Sequence, residues 1–161
     1  MLEIIEFEKA NAVSGMEYFL NNFSHVPDDK LTYLVTPTAK SPIRIAAHTA
    51  LYAGRFAQMI RDRALPKFES VEQWIAEREA EEIALSSRIE MERIFRQGTQ
   101  EVLDAMDTLS EADLHLNFQA TDGWAPPMTQ IIRFPGWHAT VHAGQIDFLQ
   151  TCWGDQHIYV E

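Results

Sequence analysis

His138 and His142 stand four residues apart in the segment Trp137-His138-Ala139-Thr140-Val141-His142-Ala143-Gly144-Gln145-Ile146. On a helix that spacing places two imidazoles on one face at successive turns, within reach of a single metal ion. Two protein ligands rarely complete a metal site, so a third must come from elsewhere in the chain. His48, at the end of Ser41-Pro42-Ile43-Arg44-Ile45-Ala46-Ala47-His48, is the candidate because its neighbours are too apolar for a solvated face. His25, His115 and His157 fall at a helix end, in a loop and in the tail, positions where histidines are ordinarily surface residues. The competing reading is that each imidazole bonds only to a backbone carbonyl or a nearby side chain, since a buried imidazole without a partner is costly.

The chemistry of such a centre is that of a Lewis acid. Three neutral imidazoles leave a divalent ion its full charge and an open position, where water or a thiol can bind and lose a proton. A thiolate would attack an electrophilic carbon, and a hydroxide would hydrolyse. The pattern is not that of the zincins, because Ala139 stands where their motif has glutamate and so no general base is built in. Asp147, the nearest acid in the same segment, is expected to point away, which leaves the catalytic group unassigned. Gln145 is expected on the histidine face, orienting a bound group or packing as an amide. Tyr52, one turn after His48, either supports the site or packs. Trp124, Trp137, Trp153 and Phe134 either line an apolar pocket or belong to the core. Imidazole suits zinc, nickel, copper and iron alike, so the ligands do not identify the metal.

Helices must position these residues. Apolar residues recur at three- and four-residue steps, which points to an all-α fold. The spacing predicts a first helix over Phe7 to Phe23 with a stripe of Val13, Met16, Tyr18, Leu20 and Phe23. Pro27 and Asp28-Asp29 end it, and Thr32 to Lys40 reads as a connector. Ser41-Pro42 gives an N-cap followed by proline at the first helical position, so a second helix begins there and carries Ile43, Ile45, Ala47, Leu51, Phe56 and Ile60 towards Pro66. Ser70-Val71-Glu72-Gln73 has capping-box spacing and opens a helical region reaching about Leu109. One rod of that length would extend about 60 Å, so a break is expected, placed between Trp74 and Glu82. Beyond it Met91, Ile94, Phe95, Gly98, Val102, Ala105, Met106 and Leu109 form a regular core stripe.

Ser110 to Pro127 reads as a long connection with a turn at Asp122-Gly123 and a short hairpin. A last helix is expected from Met128 to Trp153, stopped at Gly154 and kinked or restarted by Pro135. Its inward stripe is traced through Ile131, Phe134, His138, His142, Gln145 and Leu149, which puts the histidines on the core line. Gly144 is read as a point of close helix approach. Four main helices make an antiparallel bundle.

With 161 residues and 46% hydrophobic content, the chain is expected to form a single domain, residues 1–161, whose core needs no disulfide. The lone Cys152 and the absence of a signal-peptide pattern at the N-terminus point to a cytoplasmic setting. No apolar run reaches the roughly 18–20 residues needed to span a bilayer, so no membrane partner is expected. A formal net charge of −11 disfavours nucleic acid and anionic lipid, although it would suit a cationic substrate or simply solubility.

The Ser-Pro-x-x-x-x-x-His start of the second helix and the His-x-x-x-His-x-Gly-Gln-Ile of the last together resemble the DinB family, the DinB/YfiT-like metalloenzymes of bacteria. The resemblance covers nearly the whole chain. It implies a four-helix bundle, often a homodimer, in which His48, His138 and His142 converge on zinc or nickel. The family's activities include transfer and isomerisation dependent on low-molecular-weight thiols such as bacillithiol and mycothiol. The expected function is therefore a metal-dependent enzyme with a small-molecule substrate, a thiol S-transferase or isomerase or else a hydrolase. The alternative is a non-catalytic bundle that binds a metal or small ligand, or acts as a dimer in a stress response.

Overall fold

Serine stands immediately before four of the helices. In the computed structural model, which describes residues 2–118 and 125–159, Ser70 Oγ accepts from the Gln73 amide and Ser87 Oγ from the Glu90 amide. Ser110 forms a reciprocal capping box with Asp113. Each satisfies a backbone donor that the first helical turn leaves open. Ser41 is extended and makes no side-chain cap; there Pro42, which has no amide hydrogen to satisfy, opens the helix instead.

The helices are α1 (Leu2–Ser24), α2 (Pro42–Asp62), α3 (Val71–Ala84), α4 (Arg88–Asp107), α5 (Glu111–Leu114), α6 (Met128–Ile131) and α7 (Phe134–Cys152), with a short 3-10 turn at Asp28–Lys30. The all-α fold class read from the sequence is borne out. The first helix begins at Leu2, ahead of the expected Phe7. The break in the long helical region lies at 85–87, later than expected, because Leu85 turns into the core and Ser87 caps a new helix. The last helical region is divided too: Pro135 sits in the first turn of α7, which restarts at Phe134 after the single turn of α6. Gly154, at φ 95°, ends the helical run as expected. Below the expected hairpin, Asn117 and Pro127 form an antiparallel bridge, whereas Asp122-Gly123 and Trp124 lie outside the described residues.

The long helices α1, α2, α4 and α7 form the bundle, with α1 and α2 on opposite corners. The expected antiparallel pairing holds for α1 with α4, where Lys9 meets Asp107 at 2.7 Å and Glu17 meets Arg96 at 2.5 Å. It holds also for α2 with α7, where His48 faces His142 and Phe56 faces Phe134. The other two neighbours run parallel. Along α1 and α7, Gly15 touches Gly136 and Asn22 bonds to Asp147, while along α2 and α4, Ala53 touches Gly98 and Arg63 bonds to the Thr108 carbonyl.

Small residues set these distances. A Cβ placed on Gly15 would lie 2.7 Å from the Gly136 carbonyl oxygen, and one on Gly136 would lie 2.6 Å from that of Asn11. Gly144, expected at such a contact, instead faces open space. The core divides into a layer around Phe19, Phe23, Ile45, Phe95 and Ile146 and another around Phe56, Ile60, Met106, Met128 and Ile131. No helix among the described residues is long and apolar enough to cross a membrane.

Candidate metal centre

Because α2 and α7 run antiparallel, one turn of α2 faces two turns of α7, and the three predicted histidines meet. His138 Nε2 lies 3.2 Å from His48 Nε2 and 3.1 Å from His142 Nε2, and one ligand atom from each ring falls within 4.8 Å of the others. Neighbouring ligands on a tetrahedral ion with bonds of about 2.0–2.1 Å would be about 3.3 Å apart, so the cluster can hold one ion.

The far nitrogens are occupied. His48 Nδ1 lies 2.7 Å from Glu82 Oε1, and His142 Nδ1 lies 2.7 Å from Gln145 Oε1. Both partners accept, so both Nδ1 atoms carry the proton and both Nε2 atoms present lone pairs to the centre. His138 Nε2 faces both lone pairs and can donate to only one. At least one nitrogen pair therefore meets lone pair to lone pair, a contact that a cation between them relieves. Burial pushes the His138 imidazole down to about 2 and His48 to about 4, the latter against the opposing pull of Glu82. Burial lowers His142 as well. All three are neutral at neutral pH, the state that ligates metal.

Glu82 is the residue that sequence reasoning missed. It is 1% exposed, and its carboxylate binds Lys40 at 2.6 Å, Arg44 at 3.1 Å and His48. Burial alone would raise its pKa, but the bonds from Lys40, His48 and Arg44 prevail and hold it down to about 2. A carboxylate on the outer nitrogen of an imidazole fixes the tautomer and makes the inner nitrogen a better ligand.

Tyr52 stacks on His138 with ring centroids 5.0 Å apart and lies 4.4 Å from His48, and its hydroxyl accepts from Arg78 Nη1. Asp147 is turned away as expected and accepts from Asn22 and Tyr18 on α1. The stripe of α7 sits one residue from where it was traced. Ala139, Ala143, Ile146 and Gln150 form the buried line, His138 and His142 flank it half-buried, and Gln145 is exposed. Of the aromatics expected at the site, Phe134 and Trp137 meet, with ring centroids 6.1 Å apart, whereas Trp153 lies elsewhere. Phe134 packs on Phe56, Trp137 is 62% exposed, and Trp153 stands edge-on to Tyr33. His25 and His157 pair with Tyr159, and His115 caps α5; none joins the cluster.

The fold and this cluster define an all-α bundle with three imidazoles gathered between two antiparallel helices. Among solved structures, the mycothiol-dependent maleylpyruvate isomerase has a similar fold, with TM-score 0.68 and 14% identity over 88% of this chain. A mutant of that enzyme with one histidine replaced by alanine matches with TM-score 0.67 and 14% identity. The chain spans 60% of the length of each, and at this identity the likeness establishes the fold. No family model and no curated protein sequence matches the chain.

Proposed function

We propose that this protein is a divalent-metal enzyme in which His48, His138 and His142 bind zinc or nickel through Nε2, and that it catalyses thiol-dependent transfer or isomerisation of a small electrophile. The observation that carries the proposal is the convergence of three neutral Nε2 atoms, that of His48 held with its lone pair inward by the Glu82 carboxylate and that of His142 turned the same way by the Gln145 oxygen. When bound, the ion would supply a Lewis acid with an open position, lowering the pKa of a thiol or water held there. Glu82 keeps the His48 proton at Nδ1, and Gln145 does the same for His142. Tyr52 covers one face of the His138 ring. The solved neighbours are named as mycothiol-dependent isomerases, which supports a thiol over water as the cosubstrate.

The test is a competition titration of metal-free protein with zinc and nickel against a chromogenic chelator, followed by turnover of an electrophile panel with several low-molecular-weight thiols. One equivalent of tightly held metal and thiol-dependent turnover are expected. Tight metal without turnover by any thiol would make the bundle a binding protein, and undiminished metal affinity in His142→Ala would overturn the ligand set.

A further inference from the structure

The chain carries 13 Lys and Arg against 24 Asp and Glu, yet four cations gather beside the histidines. Lys40, Arg44, Arg55 and Arg78 surround His48 and Tyr52, with Glu81 and Glu82 as their carboxylate partners among the described residues. Three of these guanidinium groups hold a buried donor with no acceptor among the described residues: Arg44 Nε, Arg55 Nη1 and Arg78 Nε. A buried donor without an acceptor is costly, and that of Arg78, beside the Tyr52 ring that packs on His48 and His138, points to an acceptor-only group that belongs there.

Arg78 is the most exceptional. Its helix places Glu77, Glu79, Glu81 and Glu82 around it in sequence, and it pairs with none of them. Its guanidinium lies 3.6 Å from the Trp74 ring centroid and 5.5 Å from that of Tyr52, whose ring touches His48 and His138. Clamped by aromatic faces, it loses little further freedom on binding a ligand. Nη1 meets the Tyr52 hydroxyl, and Nε is the buried donor that lacks an acceptor, so the Nε edge of the planar guanidinium is where a carboxylate oxygen would be taken up.

We propose that the site takes an organic carboxylate, and that Arg78 is the residue that binds its carboxyl group while the reacting end of the molecule lies at the histidines. This rests on the histidine cluster being the reaction centre. It replaces the expectation that an acidic surface draws a cationic substrate, since the charge beside the site has the opposite sign to that of the whole chain. The carboxylate belongs either to the thiol or to the electrophile, and the experiment separates the two.

Cobalt-loaded protein is titrated with a graded series of ω-mercaptocarboxylates, each paired with the ω-mercaptoalcohol of equal length, and binding is read from the thiolate-to-cobalt absorption. In parallel, alkanoates without a thiol are titrated into zinc-loaded and metal-free protein and followed by the Arg78 Nε–H resonance. A preference of about tenfold for carboxylate over its neutral counterpart is expected, as for a charge-assisted pair. A preference in the mercaptan series assigns the carboxylate to the thiol, and one among the alkanoates alone assigns it to the electrophile. Either preference should vanish in Arg78→Gln, survive in part in Arg78→Lys, and persist in Arg93→Gln, where the charge removed lies on the exposed face of α4. No preference in either series, or one that survives Arg78→Gln in a folded protein, would overturn the proposal. If cobalt is not held at all, the metal-centre reading fails, while the alkanoate titration of metal-free protein still decides Arg78.

Discussion

Glu82 Oε1 lies 2.7 Å from His48 Nδ1, so one side chain of α3 sets the tautomer of an imidazole on α2. Glu82 is also the one buried residue of α3, a helix whose Val71, Ile75 and Ile83 are exposed. The docking of α3 and the readiness of the histidine cluster are thereby joined, with Arg78 on Tyr52 and Glu81 on Arg55 as further ties between α3 and α2.

Replacing that carboxylate should loosen the metal without dispersing the ligands. Glu82→Gln is expected to weaken zinc affinity about 10–100-fold, the usual effect of losing a partner behind a ligating histidine. Chelator competition measures it. The same change leaves Lys40 and Arg44 without their counter-charge; since both are partly solvated, the stability loss should be about 2 kcal/mol, below that of a fully buried broken pair. Urea denaturation reports that figure separately.

Removing an imidazole tests the ligand set directly. His48→Ala, His138→Ala and His142→Ala should each abolish stoichiometric metal binding while far-ultraviolet circular dichroism stays close to wild type. His138→Ala should cost the most stability, because its ring packs against both Tyr52 and Phe56. Equal metal content in any of the three would remove that residue from the set.

Acid should destabilise the metal-free fold over a defined range. His48 and His138 titrate near 6.5 when unfolded but near 4 and 2 when folded, so between those values the unfolded chain binds protons that the folded one does not. Stability is therefore fully present above about pH 6.5 and falls as pH drops towards 4 and below. Urea midpoints of metal-free protein should be lower at pH 5 than at pH 7.5. Bound zinc should move the onset of this loss to lower pH, because it competes with the same protons.

Two glycine substitutions should have opposite signs. Gly136→Ala drives a methyl group into the Asn11 backbone, which cannot swing aside, and should cost about 1–3 kcal/mol or more. Gly144→Ala meets nothing within 4 Å on a solvent-facing turn of α7 and should stabilise by about 0.5–1 kcal/mol through helix propensity. Paired thermal melts decide both. A destabilised Gly144→Ala would show that this glycine has a role beyond the isolated chain.

Local signals carried most of the fold. The Ser41-Pro42 start, the core stripe of α4 and the stop at Gly154 all depend on neighbours within a turn or two, so the sequence displays them. The α3–α4 break was equally local: Ser87 and Glu90 have capping-box spacing, the same signal that marked Ser70, and it outweighs the helix propensity of the residues around it. The histidine pair was visible through its four-residue spacing, although its place beside the core line depends on how α7 is rotated against α1. Glu82 could not be picked out from Glu77, Glu79 and Glu81, which share its chemistry and stay exposed. Only the lie of α3 against α2 distinguishes it. Trp137 is the converse case, an aromatic at core spacing that stays largely exposed and packs along its own helix against Phe134.

The parallel pairing of α1 with α7 has a kinetic consequence. His48 and His138 are 90 residues apart, and α7 takes its place only by lying against both α1 and α2. Closing so long a loop must precede the contacts that compensate for it, which slows the step that assembles the cluster. A nascent chain that has finished α1, α2 and α4 already shows most of its helix signal while His48 still lacks both opposing imidazoles. Appearance of helical structure and appearance of a competent three-nitrogen site should accordingly be separate events in refolding, the second following at the pace at which α7 docks.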